Sequence, residues 1–557
     1  MSSSGREAIL LTTLLFCGLG VRAVQGLQSR SSQAAEEAQK AKADEIADRI
    51  FYREAKFVED LKPFNPMVET YTQNMKGDQE LGRIPSRDKY FLGRLLMKKG
   101  IENISFQKNN TSILQKLDSF YKMNYDATDF MQMIYIPGFD KKNYELEYIR
   151  REFLGEIRTL VFDVAPRPKV NGPHFLGRIW VEDQDYTIVR FNGAYLRQRH
   201  LNFFHFDAWR INVRPGIWVP AFIYSEESDA KYALFRKLAM RSQTRLWGFN
   251  LKIPVYEDEF TAVRVDPTPH DSDQTETANE IVPVESERKW EREAEDDVLD
   301  RLQQAGLLAP NGEVDKVLQT VLNNLEITNK LDIQPEVRTR VLLTTPLESF
   351  TIGHTVVISR GLLDVLPDEG ALAMVLAHEL GHIALGHRLD AKQTFGDRMV
   401  FPDEETFSRI QLAHDAHEEE AADKKALEFL ENSPYKDKLA NAGLFLRALE
   451  LRSKELSSLI TPQFGTRMAK RDGVLRISSL IRTAPTLRVT DVNQIAALPL
   501  GSRIKFDPWD DHVELQKSEP VRLQSAREKM AFEVTPFFPH LARYREPQVA
   551  DTAGSGK

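Results

Sequence analysis

Apolar side chains recur at a helical interval in "VLPDEGALAMVLAHELGHIALGH", where Leu372, Val375, Leu376 and Ile383 share a face and Pro367, Asp368 and Glu369 open the run. A proline and two acids suit a helix start, because the first N–H groups there lack partners and the helix dipole favours negative charge. A second helical interval runs from about Glu404 to Glu431. From Glu145 to about Val265 the chain reads as short segments such as "HFLGRIWVEDQDYTIVRFNGAYL" and "GIWVPAFIYSEES", rich in β-branched and aromatic residues and broken by turn signals. That meander predicts one curved antiparallel sheet with helices packed on its face. Charge-mixed sequence predicts helices from about Glu36 to Lys62 and on through about Lys99, whereas Asp266 to Arg288, polar and proline-bearing, reads as a linker.

The expected fold is α+β and multidomain: an amino-terminal half-barrel-like curved antiparallel sheet with helices, then a mainly helical domain with a small edge β-sheet. The boundaries are a signal peptide over 1–26, a helical segment over 27–100, the sheet domain over 101–265 and a linker over 266–292. The helical domain then occupies 293–485, followed by a small strand-rich appendage over 486–545 and a disordered tail over 546–557. Trp180, Phe175, Phe191, Trp209 and Trp218 are expected to fill the core of the sheet domain rather than to line a face open to acyl chains.

Composition narrows the class. Of 557 residues, 42% are hydrophobic and 28% charged, and no apolar run of about 18 residues occurs beyond the amino terminus, which argues against a multi-span membrane protein. A net charge of -8, from 74 basic and 82 acidic side chains, argues against nucleic acid as a partner. Arg6 precedes an apolar run from Ala8 to Val21, after which small residues offer cleavage after Ala23 or Gly26. The expectation is an exported, periplasmic protein, the alternative being anchorage by the uncleaved segment. Cys17, the single cysteine, lies in that run, so neither a disulfide nor a cysteine metal ligand is expected in the mature chain.

The candidate chemistry is concentrated in His378-Glu379-Leu380-Gly381-His382. Histidines at i and i+4 stand one turn apart on a single face and can share one zinc ion, with the glutamate between them as general base to an attacking water. Gly381 should cost its helix about 1 kcal/mol relative to alanine, so another element is expected to pack close to it. His387 falls a turn and a half beyond His382 and reads as a neighbour of the site or a surface residue rather than a ligand. A third ligand is sought among Glu418, Glu419 and Glu420. Glu419 shares its face with Ala416, Ala422, Asp423 and Ala426, small residues that admit a partner helix, whereas Glu418 shares Lys425 and Glu420 shares Lys424. Glu419 is therefore the candidate ligand, and Asp423, one turn on, the candidate acceptor for a ligating histidine's N–H.

With "EEEAADKKAL" following the HExxH run, the stretch from about Asp297 to Ile460 resembles the HtpX-type and CAAX-prenyl-protease-type zinc metallopeptidases, family forty-eight of the metallopeptidases. The resemblance implies one Zn2+ per chain on His378, His382 and Glu419, with Asp423 supporting them. It also implies that the strand before the motif helix, within Ser349 to Gly361, binds substrate backbone in extended form, placing Phe350, Thr351, Ile352 and Gly353 at the substrate. Two departures stand out. Glu348-Ser349-Phe350 replaces the Asn-Ala-Phe of many relatives, and no Thr-His-Pro segment follows the second motif, leaving His540, His354 or His417 as substitutes for its histidine. The implied function is a zinc endopeptidase acting on polypeptides, among them misfolded envelope proteins or lipoproteins, with peripheral membrane association. The alternative is a chaperone-like module that binds lipoproteins or unfolded proteins, carrying a weak or regulated peptidase domain.

Overall fold

The computed structural model describes residues 44–97, 102–106, 132–168, 174–196, 205–232, 236–250, 283–387 and 412–545, apart from 502, 518 and 520. The signal-like run, most of the expected linker, residues 404–411 and the tail lie outside the described residues. No described helix is long and apolar enough to cross a membrane.

A ten-stranded antiparallel sheet forms the amino-terminal unit. Its strands are β1 (Met67–Asp78), β2 (Gly82–Leu96), β3 (Glu102–Ser105), β4 (Tyr144–Leu154), β5 (Ile157–Pro166), β6 (His174–Glu182), β7 (Ile188–Leu196), β8 (His205–Arg214), β9 (Ile217–Tyr232) and β10 (Arg236–Trp247). The order β3-β2-β1-β10-β9-β8-β7-β6-β5-β4 is a meander whose one non-sequential step sets β10 beside β1. A helix over 44–61, α1, covers one face with Ile50, Phe57 and Leu61 against Phe162, Phe175, Phe191 and Phe206. Its Glu54 makes a buried ion pair with Arg210 at 2.6 Å. On the opposite face Trp180, Trp209, Trp218 and Phe222 join a core that continues into the second unit. The five aromatics singled out in the sequence are thus all buried as core.

Residues 67–96, expected as helix, are instead β1 and β2. Both faces of β1 are covered, so Met67 to Gln73 are all buried and the polar-out alternation that marks a half-exposed strand is missing. The polar side chains on that covered face are used across the unit boundary. Glu69 accepts from Thr345 N at 2.5 Å, Thr345 Oγ1 at 2.8 Å and Arg360 Nη2 at 2.7 Å. Asp88 of β2 accepts from the backbone of Ser458 and Leu459, each at 2.8 Å.

The second unit contains α2 (Pro283–Gln304), α3 (Glu313–Asn329), β11 (Arg338–Leu342), β12 (Ser349–Ile352), β13 (Thr355–Ser359), α4 (Arg360–Val365), α5 (Glu369–Ala384), α6 (Ala416–Glu431) and α7 (Leu439–Arg452). Its small sheet runs β11-β13-β12, parallel and then antiparallel, which leaves β12 at an edge. Three sequence expectations change here. The last ten residues of the expected linker, 283–292, belong to α2; they are polar and mostly exposed, which hid their helical character. The helix expected from Glu404 begins at Ala416, because Asp415 caps it by accepting from His417 N and Glu418 N. Over 486–545 the described strands reduce to a hairpin of Ile504–Phe506 with Val513–Leu515. The end of this stretch straps the first sheet, with Glu156 N donating to Leu541 O at 2.7 Å and Tyr544 N to Asn212 Oδ1 at 2.8 Å.

Candidate metal centre

Helix α5 starts where the sequence places it, with the Asp368 carboxylate accepting from Ala371 N at 2.9 Å. It carries His378, Glu379 and His382 into the interior, and α6 brings Glu419 and Asp423 against them. The approach is close at Gly381, where an added Cβ would lie 2.9 Å from Ala422 O and 3.3 Å from its Cα. A larger residue there would push the two helices apart, which accounts for a glycine inside α5.

His378, His382 and Glu419 each offer one ligand atom, and these atoms lie within 4.8 Å of one another. His378 Nε2 is 3.1 Å from His382 Nε2 and 3.3 Å from Glu419 Oε2; His382 Nε2 is 3.7 Å from Glu419 Oε1. Two imidazole nitrogens facing each other beside a carboxylate form a donor set suited to zinc. Glu419 Oε1 and Glu379 Oε2 are both buried and lack a hydrogen-bond partner, an arrangement that a cation and its water would satisfy. The residues present therefore fit a metal ion.

Around the ligands the remaining polar atoms are matched. Asp423 Oδ1 sits 2.8 Å from His378 Nδ1, and its Oδ2 accepts from Ile477 N at 2.8 Å. The carboxylate thereby directs the His378 Nε2 lone pair into the site. His382 Nδ1 is 3.0 Å from His387 Nδ1, so His387 adjoins a ligand without being one. Glu418 meets His414 Nδ1 at 3.0 Å, Lys425 pairs with Glu428 at 2.8 Å and Glu420 pairs with Lys424 at 2.9 Å, so neither of these glutamates is spoken for by the candidate site.

Two residues of the centre were missed in the sequence. The Arg476 guanidinium reaches Glu379 Oε1 at 2.8 Å, Glu419 Oε2 at 3.1 Å and Ser349 O at 3.2 Å. His414 stacks on His382 with ring centroids 3.9 Å apart, and its Nε2 is 3.4 Å from Thr351 Oγ1. Nothing local in "GVLRISS" marks Arg476, although a lone arginine among apolar residues could have suggested a buried ion pair. The three histidines considered as substitutes lie elsewhere: His354 bonds Glu295 at 2.9 Å in the β12–β13 turn, His417 is exposed, and His540 is exposed on the strap beside Gly155.

Burial and charge bias the protonation of these groups. Burial and the Arg476 charge oppose a proton on His378, but its hydrogen bonds to the Asp423 and Glu419 carboxylates prevail and its pKa rises. Burial, with His378 and His414 nearby, lowers His382 to about 2. Glu419 falls below the ordinary carboxylate range despite its burial, because of Arg476 and His378.

Of the expected substrate residues, Phe350, Thr351 and Ile352 lie on the edge strand β12, but these residues are only 1%, 2% and 5% exposed. Gly353 turns to β13 with φ 54°, and a Cβ there would lie 1.9 Å from the Glu295 carboxylate. It is clamped by α2 rather than set along the free edge. Ser349 Oγ donates to Glu379 Oε1 at 2.7 Å, and Glu348 Oε2 accepts from Gln463 N, Phe464 N and Gly465 N at 3.0, 2.9 and 3.2 Å. The departure at Glu348-Ser349 thus gives one side chain that anchors a neighbouring loop and one that touches Glu379.

No curated protein matches this chain significantly. Among solved structures, a LolA superfamily protein from Nitrosomonas europaea aligns with 34% of this chain and 90% of its own, at 11% identity and a TM-score of 0.19. Residues 309–488 match the model of peptidase family M48. That span holds both helices of the candidate metal-holding group, and in it the chain is similar to the peptidases of family M48.

Proposed function

We propose that the protein is a zinc-dependent endopeptidase that hydrolyses peptide bonds of exported polypeptides, misfolded envelope proteins and lipoproteins among them. The observation that carries the reading is the convergence of His378, His382 and Glu419 beside a glutamate with one unpartnered buried oxygen. Zinc held by those three groups would acidify a water and polarise a carbonyl. Glu379 Oε1 is fixed by Ser349 and Arg476, which leaves Oε2 to take the water's proton and hand it to the leaving amine as the C–N bond breaks. Asp423 and His387 hold the two imidazoles by their Nδ1 atoms, so both Nε2 lone pairs face inward. Arg476 offsets the charge of two adjacent carboxylates, Glu379 and Glu419.

A substrate strand would pair with the edge strand β12, beyond Ser349, whose carbonyl Arg476 already engages. The signal-like start, Arg6 followed by the apolar run to Val21, supports export and a periplasmic setting. The experiment is cleavage of an unfolded protein such as casein. Activity should be lost to a chelator and restored by about one equivalent of zinc; cleavage that persists in the metal-free protein would exclude this chemistry.

A further inference from the structure

Away from the metal-holding group, a part-enclosed cavity of about 50 Å³ lies where the two units meet, with room for about four water-sized spheres. Three parts of the chain build it: Leu81 in the β1–β2 turn, Ala448, Leu451 and Arg452 of α7, and residues between 487 and 497 and between 526 and 533. We propose that this cavity binds a short apolar chain ending in a carboxylate, with Arg452 holding the charged end. The cavity shares no residue with the metal-holding group, so the inference goes beyond the hydrolase reading.

The walls set the body of the ligand. Leu81, Leu487, Val489, Ile495 and Met530 present hydrocarbon and thioether surface, and a cavity of this volume takes about four or five carbon atoms. The charges set its end. Arg452, Arg527 and Lys529 line the same cavity, and among the described residues none of them pairs with a carboxylate. Lys529 Nζ donates to Arg488 O at 3.0 Å, which leaves its charge unmatched. Asp78 and Asp491 act on Arg452 and Lys529 from beyond ion-pair distance. The one wall carboxylate, Glu533, is already held by Arg241 at 2.9 Å. Cations facing a single committed carboxylate leave a place for an anion, and a guanidinium suits a carboxylate because its N–H groups meet both oxygens. The backbone supplies an independent sign. Met530 and Phe532 have φ of 48° and 58°, a left-handed region that bulky side chains seldom adopt. Strain of this kind collects at ligand clamps and persists where neighbours hold it. Here Phe532 N donates to Leu498 O and Leu500 N to Glu533 O, each at 3.0 Å.

The test is calorimetric titration of the full chain with isocaproate, with isocaproamide, which has the same shape without the charge, and with N-acetyl-leucine, which carries the same group at a peptide-like end. Isocaproate should bind at about one molecule per chain, and the amide at least about tenfold more weakly. Arg452→Gln should weaken isocaproate by about tenfold and leave the amide unchanged. Ala531→Leu fills the cavity and should abolish both; if it fails to fold, Ala526→Leu fills the same space from the neighbouring wall. N-acetyl-leucine matching isocaproate would assign the site to the carboxyl ends of peptides, and a preference for isocaproate would assign it to free short-chain acids. No binding of isocaproate up to about 10 mM, or equal binding of acid and amide, overturns the inference. So does isocaproate binding that neither the arginine nor the cavity-filling variant weakens, since it then belongs elsewhere, the metal centre included. The readout needs no hydrolysis, so failure of either reading leaves the other standing.

Discussion

Gly381 of α5 lies against the backbone of Ala422 in α6, close enough that a Cβ at position 381 would come within 2.9 Å of the Ala422 carbonyl oxygen. Two helices that meet this closely can place side chains from both around one ion. Gly381→Ala should therefore lose stability despite alanine's higher helix propensity, since the clash of about 1–3 kcal/mol outweighs a gain of about 1 kcal/mol. Calorimetry and zinc content of the purified variant check this: a lower Tm and weaker zinc retention are expected.

Asp423 bonds His378 Nδ1 and Ile477 N at once. Removing it frees the His378 ring to rotate and unpairs a backbone N–H. Asp423→Ala should weaken zinc binding by about 10–100-fold, as loss of a group that orients a ligand generally does. Competition with a chromophoric chelator gives the dissociation constant directly. An affinity equal to wild type would mean that the carboxylate does not orient the ligand.

Glu69 and Arg360 form a buried ion pair across the two units, at 2.7 Å and with side chains 2% and 0% exposed. Glu69→Ala leaves the guanidinium buried without that partner and should cost about 3–5 kcal/mol in denaturant unfolding. The exposed Lys141–Asp48 pair serves as control, since Asp48→Ala should change stability by less than about 1 kcal/mol.

Asp511 links the hairpin to the end of β10 by accepting from Gly248 N at 2.8 Å, and burial raises its pKa to about 8. The folded protein then holds this proton through a pH range in which the unfolded chain has released it. The stabilisation is complete below the unfolded carboxylate pKa and is lost as pH rises through about 8. Asp511→Asn keeps an acceptor, suits the left-handed φ of 62° and removes the titration. Its Tm should fall less than that of the wild type between pH 6 and about 9, by on the order of a few °C; parallel curves would show that Asp511 stays ionised in the fold.

The site was largely legible in the sequence because its residues are local in the chain. His378, Glu379 and His382 fall within a single turn, and Glu419 was separable from Glu418 and Glu420 by the small residues on its helix face. Arg476 and His414 escaped notice because each reaches the centre through tertiary packing, Arg476 from a segment without periodicity and His414 from the stretch just before α6 that the sequence reads as helix. The fold was less evident where burial is two-sided. Strands β1 and β2 carry Glu69, Gln73 and Asp88 into an interface between units, and side chains matched to a distant partner look like solvent-facing residues in a sequence.

The most direct measurement compares wild type with Glu379→Gln for zinc content and casein cleavage. Both proteins should hold one zinc, since Glu379 is not among the three ligands, while cleavage by the variant should drop by about 10²–10⁴-fold. A variant that retains both zinc and full cleavage would contradict the assignment of Glu379 as the base. A wild type that binds no zinc at this site would contradict the metal centre itself.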